Sequence, residues 1–343
     1  MRVVDLRSDT VTLPTEKMRL AMQQAEVGDS QKGEDPSVNR LQDMAASMLG
    51  KEDAVFLASG TASNLIDVLS HCQRGDRVVL GQLCHIYNSE MDGLAAIAGV
   101  NPKAVPDFDG IPDPKDVETA INPRSAGRPY TSLVCMENTH NWAGGAVATP
   151  EEIGAVAAVA KRHDVAVHVD GARLFNAAAA LKIEARELVK DADSVSFCLS
   201  KGLSAPVGSM LCGSRQFIDR ARYYQKILGG SFRQAGHMAA AGIVALEEMI
   251  PRLAEDNQNA LYLADLVAGL PKLKVDPARV ESNLIVFDID QGQISRLDFM
   301  NALEERGVKI STSGKTRVRM VTHYGISRED VEYAARVIKE VVS

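Results

Sequence analysis

No apolar run in this sequence approaches the ~20 residues that would span a bilayer, which argues against an integral membrane protein. Nor do its lysines and arginines gather into a stripe. With a net charge of −7, it offers no surface suited to a phosphate backbone, so a nucleic-acid partner is not expected. Cys72, Cys84, Cys135, Cys198 and Cys212 are odd in number and lack CxxC spacing, and most lie in apolar runs. This pattern points to reduced, buried thiols in a cytoplasmic protein, away from a disulfide frame or a zinc site. The N-terminal stretch MRVVDLRSDTVTLPTEKM mixes acids with bases and has no apolar core of signal-peptide length, so it reads as mature sequence. No solenoid repeat, linker or low-complexity tract occurs beyond Ala177 to Ala180.

What is present is an alternation of short apolar runs with amphipathic or Ala-rich segments, the mark of βαβ units on a mostly parallel sheet. The strand-like runs are 53–59, 77–81, 130–137, 165–170, 193–200 and 208–213, and helices are expected at 63–74 and 149–164. In the second helix Thr149 is placed as N-cap, Pro150 in the first turn and Glu152 at the capping-box position. From about Pro251 the texture changes to a long helix, a strand at 282–290, a helix near 295–306, a strand at 316–323 and a closing helix. Residues 1–250 therefore read as an N-terminal segment plus a large domain, and 251–343 as a small α+β domain packed against it.

Two of the apolar runs carry chemistry at their ends. AVHVD closes on Asp170, with Arg173 three residues on, and VSFCLS is followed by a lone lysine, Lys201. A lysine can hold an aldehyde as a Schiff base. A carboxylate thirty-one residues earlier, on the neighbouring strand end, can keep a pyridine nitrogen protonated. Together they suit pyridoxal phosphate. In FLASGTASN, Gly60 and Thr61 lie between a strand and a helix, where a glycine lets backbone amides approach a phosphate and the helix N-terminus favours negative charge. His85 and His140 each follow a strand, and either suits ring stacking or proton transfer. Arg317 and Arg319 alternate in one strand, so both side chains point to one face, and a guanidinium grips a carboxylate through two parallel hydrogen bonds. On this ground the two arginines are equivalent.

These motifs extend into a longer ordered set: DLRSDTVTLPT, GEDPSVNRLQ, SGTASN, CHI, ENTHN, HVDGARLFNAA, LSKGLSAPVGSML, LGGSFRQAG and RMVTH. Their order resembles that of the L-threonine aldolase family, within the aspartate-aminotransferase-like (fold type I) pyridoxal phosphate enzymes. The resemblance implies a mostly parallel seven-stranded sheet in the large domain. It implies that Lys201 binds the cofactor aldehyde and that Asp170 pairs with the ring nitrogen. Arg173 would lie near the phenolic oxygen, Gly60 and Thr61 on the phosphate, and His85 over the ring. Ser8 and Arg319 would take the substrate carboxylate, and His140 would lie near its hydroxyl. The base is left open among His85, His140 and a water between them. It also implies a homotetramer built as a dimer of dimers, in which Lys226 and Arg233 reach a neighbour's cofactor. Two stretches depart from the family pattern. An acidic-Gly-Gly stretch is replaced within HIYNSEMDGLAA, and a GGGMRQ-like loop reads GGSFRQ, with Ser231 and Phe232. Both changes bear on side-chain preference more than on cofactor use.

The implied reaction is cleavage of L-threonine, L-allo-threonine and related β-hydroxy-α-amino acids to glycine and an aldehyde. The alternatives are an aldolase for phenylserine or β-hydroxyaspartate, a β-eliminating lyase and, outside enzymes, a cofactor-binding sensor.

Overall fold

The computed structural model describes residues 2–124, 127–314 and 316–343. Its strands are β1 (Val4–Asp5), β2 (Asp53–Leu57), β3 (Arg77–Gly81), β4 (Asn101–Val105), β5 (Thr131–Glu137), β6 (Ala166–Asp170), β7 (Ser194–Cys198), β8 (Ser209–Gly213), β9 (Leu273–Lys274), β10 (Leu284–Ile289), β11 (Val308–Lys309), β12 (Ser311–Ser313) and β13 (Arg317–Val321). Seven of them form the large sheet, in the order β2-β8-β7-β6-β5-β3-β4. Only β8 runs antiparallel to its neighbours there.

Both faces of this sheet are covered. Val134 and Met136 of β5 enter one apolar cluster, while the alternating Leu133 and Cys135 enter another on the opposite face. Double burial is why these strands read as continuous apolar runs rather than as alternating ones. The seventh strand, β4, answers to no such run. Its sequence NPKAV is mostly exposed and carries Pro102, which an edge strand tolerates because one side of its ladder is unpaired. Helix Pro150–Arg162 starts as expected, with Thr149 and Glu152 forming a reciprocal capping box. All five cysteines are free and buried.

The C-terminal region builds a second, antiparallel sheet in the order β12-β13-β10-β9. Helices Leu253–Val267, Arg296–Glu304 and Arg328–Val342 contribute Leu263, Phe299 and Ile338 to its core. Val4 and Leu6 belong to that same core, because β1 pairs in parallel with β11. The chain's first strand thus lies with its last hundred residues. Among the described residues no helix is long and apolar enough to cross a membrane.

Candidate active site

Glu137, Asp170 and Cys198 are the last residues of β5, β6 and β7, three neighbouring parallel strands. Carboxyl ends of such strands are where open α/β sheets bind ligands. Asp170 is buried, with Oδ2 accepting from Asn64 Nδ2 at 2.8 Å and Oδ1 from the Ala172 amide at 3.1 Å. The next residue must be glycine, since a Cβ on Gly171 would stand 2.7 Å from the Ser196 carbonyl oxygen on β7. The Asp-Gly step therefore serves the turn and the site at once.

Lys201 follows β7 in a tight turn, its carbonyl accepting from the Ser204 amide at 2.8 Å and from Thr12 Oγ1 at 3.2 Å. Among the described residues no ion pair engages its ammonium. Helix Gly60–His71 begins beside this turn: a Cβ on Gly60 would lie 2.9 Å from Cys198 Sγ. Glycine lets the helix start approach β7, and the first-turn amides of Gly60 and Thr61 have no intrahelical acceptor, with Ser59 capping only Ala62.

A second group of polar contacts surrounds the first. The His85 amide donates to Glu137 at 2.6 Å, and its Nδ1 lies 2.8 Å from Glu90 Oε1. Polar atoms of His85, Glu90 and Asp170 all fall within 4.8 Å of one another. Burial works against the charged form of His85, but the Glu90 hydrogen bond and the nearby carboxylates outweigh it and raise its pKa. Burial likewise raises that of Glu90. His140 is buried with both ring nitrogens engaged. Nδ1 accepts from the Ala143 amide at 3.2 Å, so the proton sits on Nε2 and is donated to Asp107 at 2.8 Å.

Arg173 spends two donors on the buried Asp9, each at 2.6 Å, and turns a third toward Asn141 Oδ1 at 3.5 Å. Despite full burial, that guanidinium holds the Asp9 carboxyl far below the usual range, helped by the charge on Lys201. Ser8 precedes Asp9 and accepts from the Thr10 amide at 3.2 Å. Arg319 donates to Asn141 Oδ1 at 2.9 Å, and to the Arg7 carbonyl and Ser311 Oγ at 3.3 Å. Every one of these acceptors is neutral. Burial and the neighbouring Arg173 charge lower its pKa by more than the nearby Asp9 raises it. Arg317 points the same way but reaches only the Trp142 carbonyl, at 3.5 Å.

Ser8, Gly60, Thr61, His85, His140, Asp170, Arg173, Lys201 and Arg319 are thus gathered around the strand ends. Lys226 and Arg233 are not. Lys226 is exposed near the end of helix Arg215–Ile227, and Arg233 pairs with Asp29 at 3.0 Å. Sequence reasoning passed over Asp9, Asn64, Glu90, Glu137, Asn141 and His168. Each lies inside a motif or stretch already singled out, Glu90 within HIYNSEMDGLAA, and its role is visible only through the partners the fold brings to it.

Residues 5–290 match the family described as Beta-eliminating lyase. Low-specificity L-threonine aldolase 1 of Arabidopsis thaliana is 45% identical over 100% of this chain and 97% of its own length. The low specificity L-threonine aldolase of Escherichia coli K12 is 41% identical, over 97% of each chain. The chain belongs to the L-threonine aldolase family. Among solved structures, Leishmania major threonine aldolase superposes with a TM-score of 0.83 at 20% identity, covering 99% of both chains. Sphingomonas wittichii serine palmitoyltransferase gives 0.76 at 16%, covering 99% of this chain and 87% of that one. At such identities these two speak to the fold alone. L-threonine aldolases depend on pyridoxal phosphate, and the donor set here fits it. An amine without an ion-pair partner, a buried carboxylate on the neighbouring strand end and helix amides brought close by Gly60 match its aldehyde, ring nitrogen and phosphate.

Proposed function

We propose that this L-threonine aldolase cleaves L-threonine, L-allo-threonine and related β-hydroxy-α-amino acids to glycine and an aldehyde. The observation that carries the reading is Arg319, a half-buried guanidinium whose hydrogen-bond partners are all neutral, held on Asn141 just past the end of β5 and close to Arg173. No carboxylate bonds to it directly among the described residues, and an amino acid's carboxylate would fill that place.

In this reading Lys201 binds the cofactor aldehyde, Asp170 the ring nitrogen, and Gly60 and Thr61 the phosphate, with His85 over the ring. Held by these residues, pyridoxal phosphate would supply an acceptor for the electron pair released when the Cα–Cβ bond breaks. Arg319, with Ser8, clamps the carboxylate, and holding one substituent of Cα fixes which of the others is broken. Arg173 carries Asn141, which Arg319 also grips, so the pair keeps the clamp in place. With both His140 nitrogens engaged, His85 is the better proton acceptor for the β-hydroxyl, directly or through a water, because Glu90 takes only its Nδ1. His140 then orients the Asn141 loop.

The working unit in this reading is a cytoplasmic homotetramer, a dimer of dimers in which Lys226 and Arg233 serve a neighbour's site. Their distance from the cluster supports this, as do the exposed apolar side chains of Tyr223, Ile227 and Phe232 on the same stretch. Residues 1–250 and 251–343 act as its large and small domains, with β1 crossing from the first to the second.

The test is aldehyde release from L-threonine and L-allo-threonine, coupled to alcohol dehydrogenase, with Lys201→Ala as control. Acetaldehyde from the wild type and almost none from the variant is the expected outcome. Ammonia and a keto acid in place of glycine and aldehyde would instead establish β-elimination.

A further inference from the structure

Beneath Asp170 lies a buried polar chain that binding and cleavage leave unused. Asn64 Nδ2 donates to two carboxylates, Asp170 Oδ2 and Glu90 Oε1, each at 2.8 Å. Carboxylates accept only, so the amide cannot be turned around, and Asn64 Oδ1 must face the other way. There it meets Ser196 Oγ at 3.1 Å and His168 Nε2 at 3.3 Å. An oxygen opposite Nε2 requires a proton on Nε2.

The other ring nitrogen is constrained as well. His168 Nδ1 lies 3.0 Å from both Ser194 Oγ and Asp67 Oδ1. Ser194 Oγ stands only 2.6 Å from Asp67 Oδ1, so its single hydrogen lies between those oxygens and is not free to serve Nδ1. Nδ1 must donate too. His168, Asp67 and Ser194 are wholly buried, so no solvent stands in for either partner.

We propose that His168 is a positioning residue, a permanent buried imidazolium that acts through Asn64 to keep Asp170 ionised and aimed at the cofactor's ring nitrogen. His168 and Asp170 sit two apart on β6, so their side chains share a face. The groups facing His168 are Asp67 and His71 from helix Gly60–His71, Ser194 from β7, Cys135 from β5, and Asp170 and Glu90 beyond Asn64. The anions among them raise the pKa of the ring against its burial. Asp67 supplies the balancing charge, with its own pKa lowered by His168 and His71 in spite of burial.

The inference rests on the pairing of Asp170 with the ring nitrogen and not on which amino acid is cleaved. Its test uses holoenzyme carrying His168→Gln or Asp67→Asn, either of which removes one charge of the pair. An uncharged ring nitrogen makes the nitrogen joining Lys201 to the cofactor more basic. The pH at which the bound cofactor changes colour is therefore expected to rise by about one unit, with kcat about tenfold lower and KM nearly unchanged. Should one variant fail to fold, the other carries the test. The wild-type holoenzyme gives an independent reading, in which ¹⁵N histidine spectra should show one ring doubly protonated from pH 6 to pH 9. A folded variant with an unmoved colour change overturns the proposal, as does weaker cofactor binding with no such shift. Loss of aldehyde release by the wild type would instead sink the substrate assignment, leaving the colour change still readable.

Discussion

Met91 and Asp92 follow Glu90 directly, and both stand in the left-handed region, with φ of 54° and 56°. An acidic-Gly-Gly stretch is what the family resemblance leads one to expect here, and the backbone explains the glycines, which enter this region without penalty. This chain keeps the conformation with two side chains that pay for it. Met91 is 91% exposed and contributes little packing, so backbone strain dominates any substitution there. Met91→Val is expected to lose about 1 kcal/mol, since a β-branched residue is least tolerant of positive φ, while Met91→Gly should lose none. Urea unfolding measures both, and equal stability of the two variants would show that the turn relaxes. The site was legible at this scale only in part. Lys201, Asp170 and the Arg317–Arg319 pair stand out because charge at an apolar strand end, or within a strand, is conspicuous, while the choice of Arg319 over Arg317 rests on the family resemblance. Asn64, Asp9 and Asn141 do not, because polar residues in turns and caps are common. What distinguishes them are partners 106, 164 and 178 residues away.

Elements were readable where their determinants are local. Helix Pro150–Arg162 has its whole N-terminal signal within four residues, and the reciprocal bonds form, with the Glu152 amide donating to Thr149 Oγ1 at 3.2 Å and the Thr149 amide to Glu152 Oε2 at 2.8 Å. Thr149→Ala should cost about 1 kcal/mol, the usual value of such a cap, with turnover unaffected. Thermal melting beside the aldehyde assay checks both halves, and a drop in turnover would tie this helix to the site. Strands β9, β11 and β12 escaped notice because two or three residues carry no periodicity. Strand β4 escaped because an exposed edge needs no apolar run, and β1 because its parallel pairing with β11 joins residues some three hundred apart.

For the molecule as a whole, that first segment is the strap. Val4 and Leu6 are in the C-terminal core, Thr12 bonds to the Lys201 carbonyl, and between them Asp9 meets Arg173 inside the large-sheet region. Asp9→Asn would leave the guanidinium buried without its counter-charge. Breaking a buried pair from one side typically costs about 3–5 kcal/mol, far above the cap or turn variants. The acid limb of stability gives a second reading of the same contact. Because the folded pKa of Asp9 is depressed, its contribution is fully present above the unfolded value of about 4 and is lost as pH falls toward the folded one. The gap between wild type and Asp9→Asn should therefore be widest at neutral pH and narrow progressively as pH falls below ~4, whereas a loss due to altered packing would be independent of pH. Urea unfolding at pH 7 and pH 3 separates the two, and a constant gap would mean that the ion pair does not hold the strap.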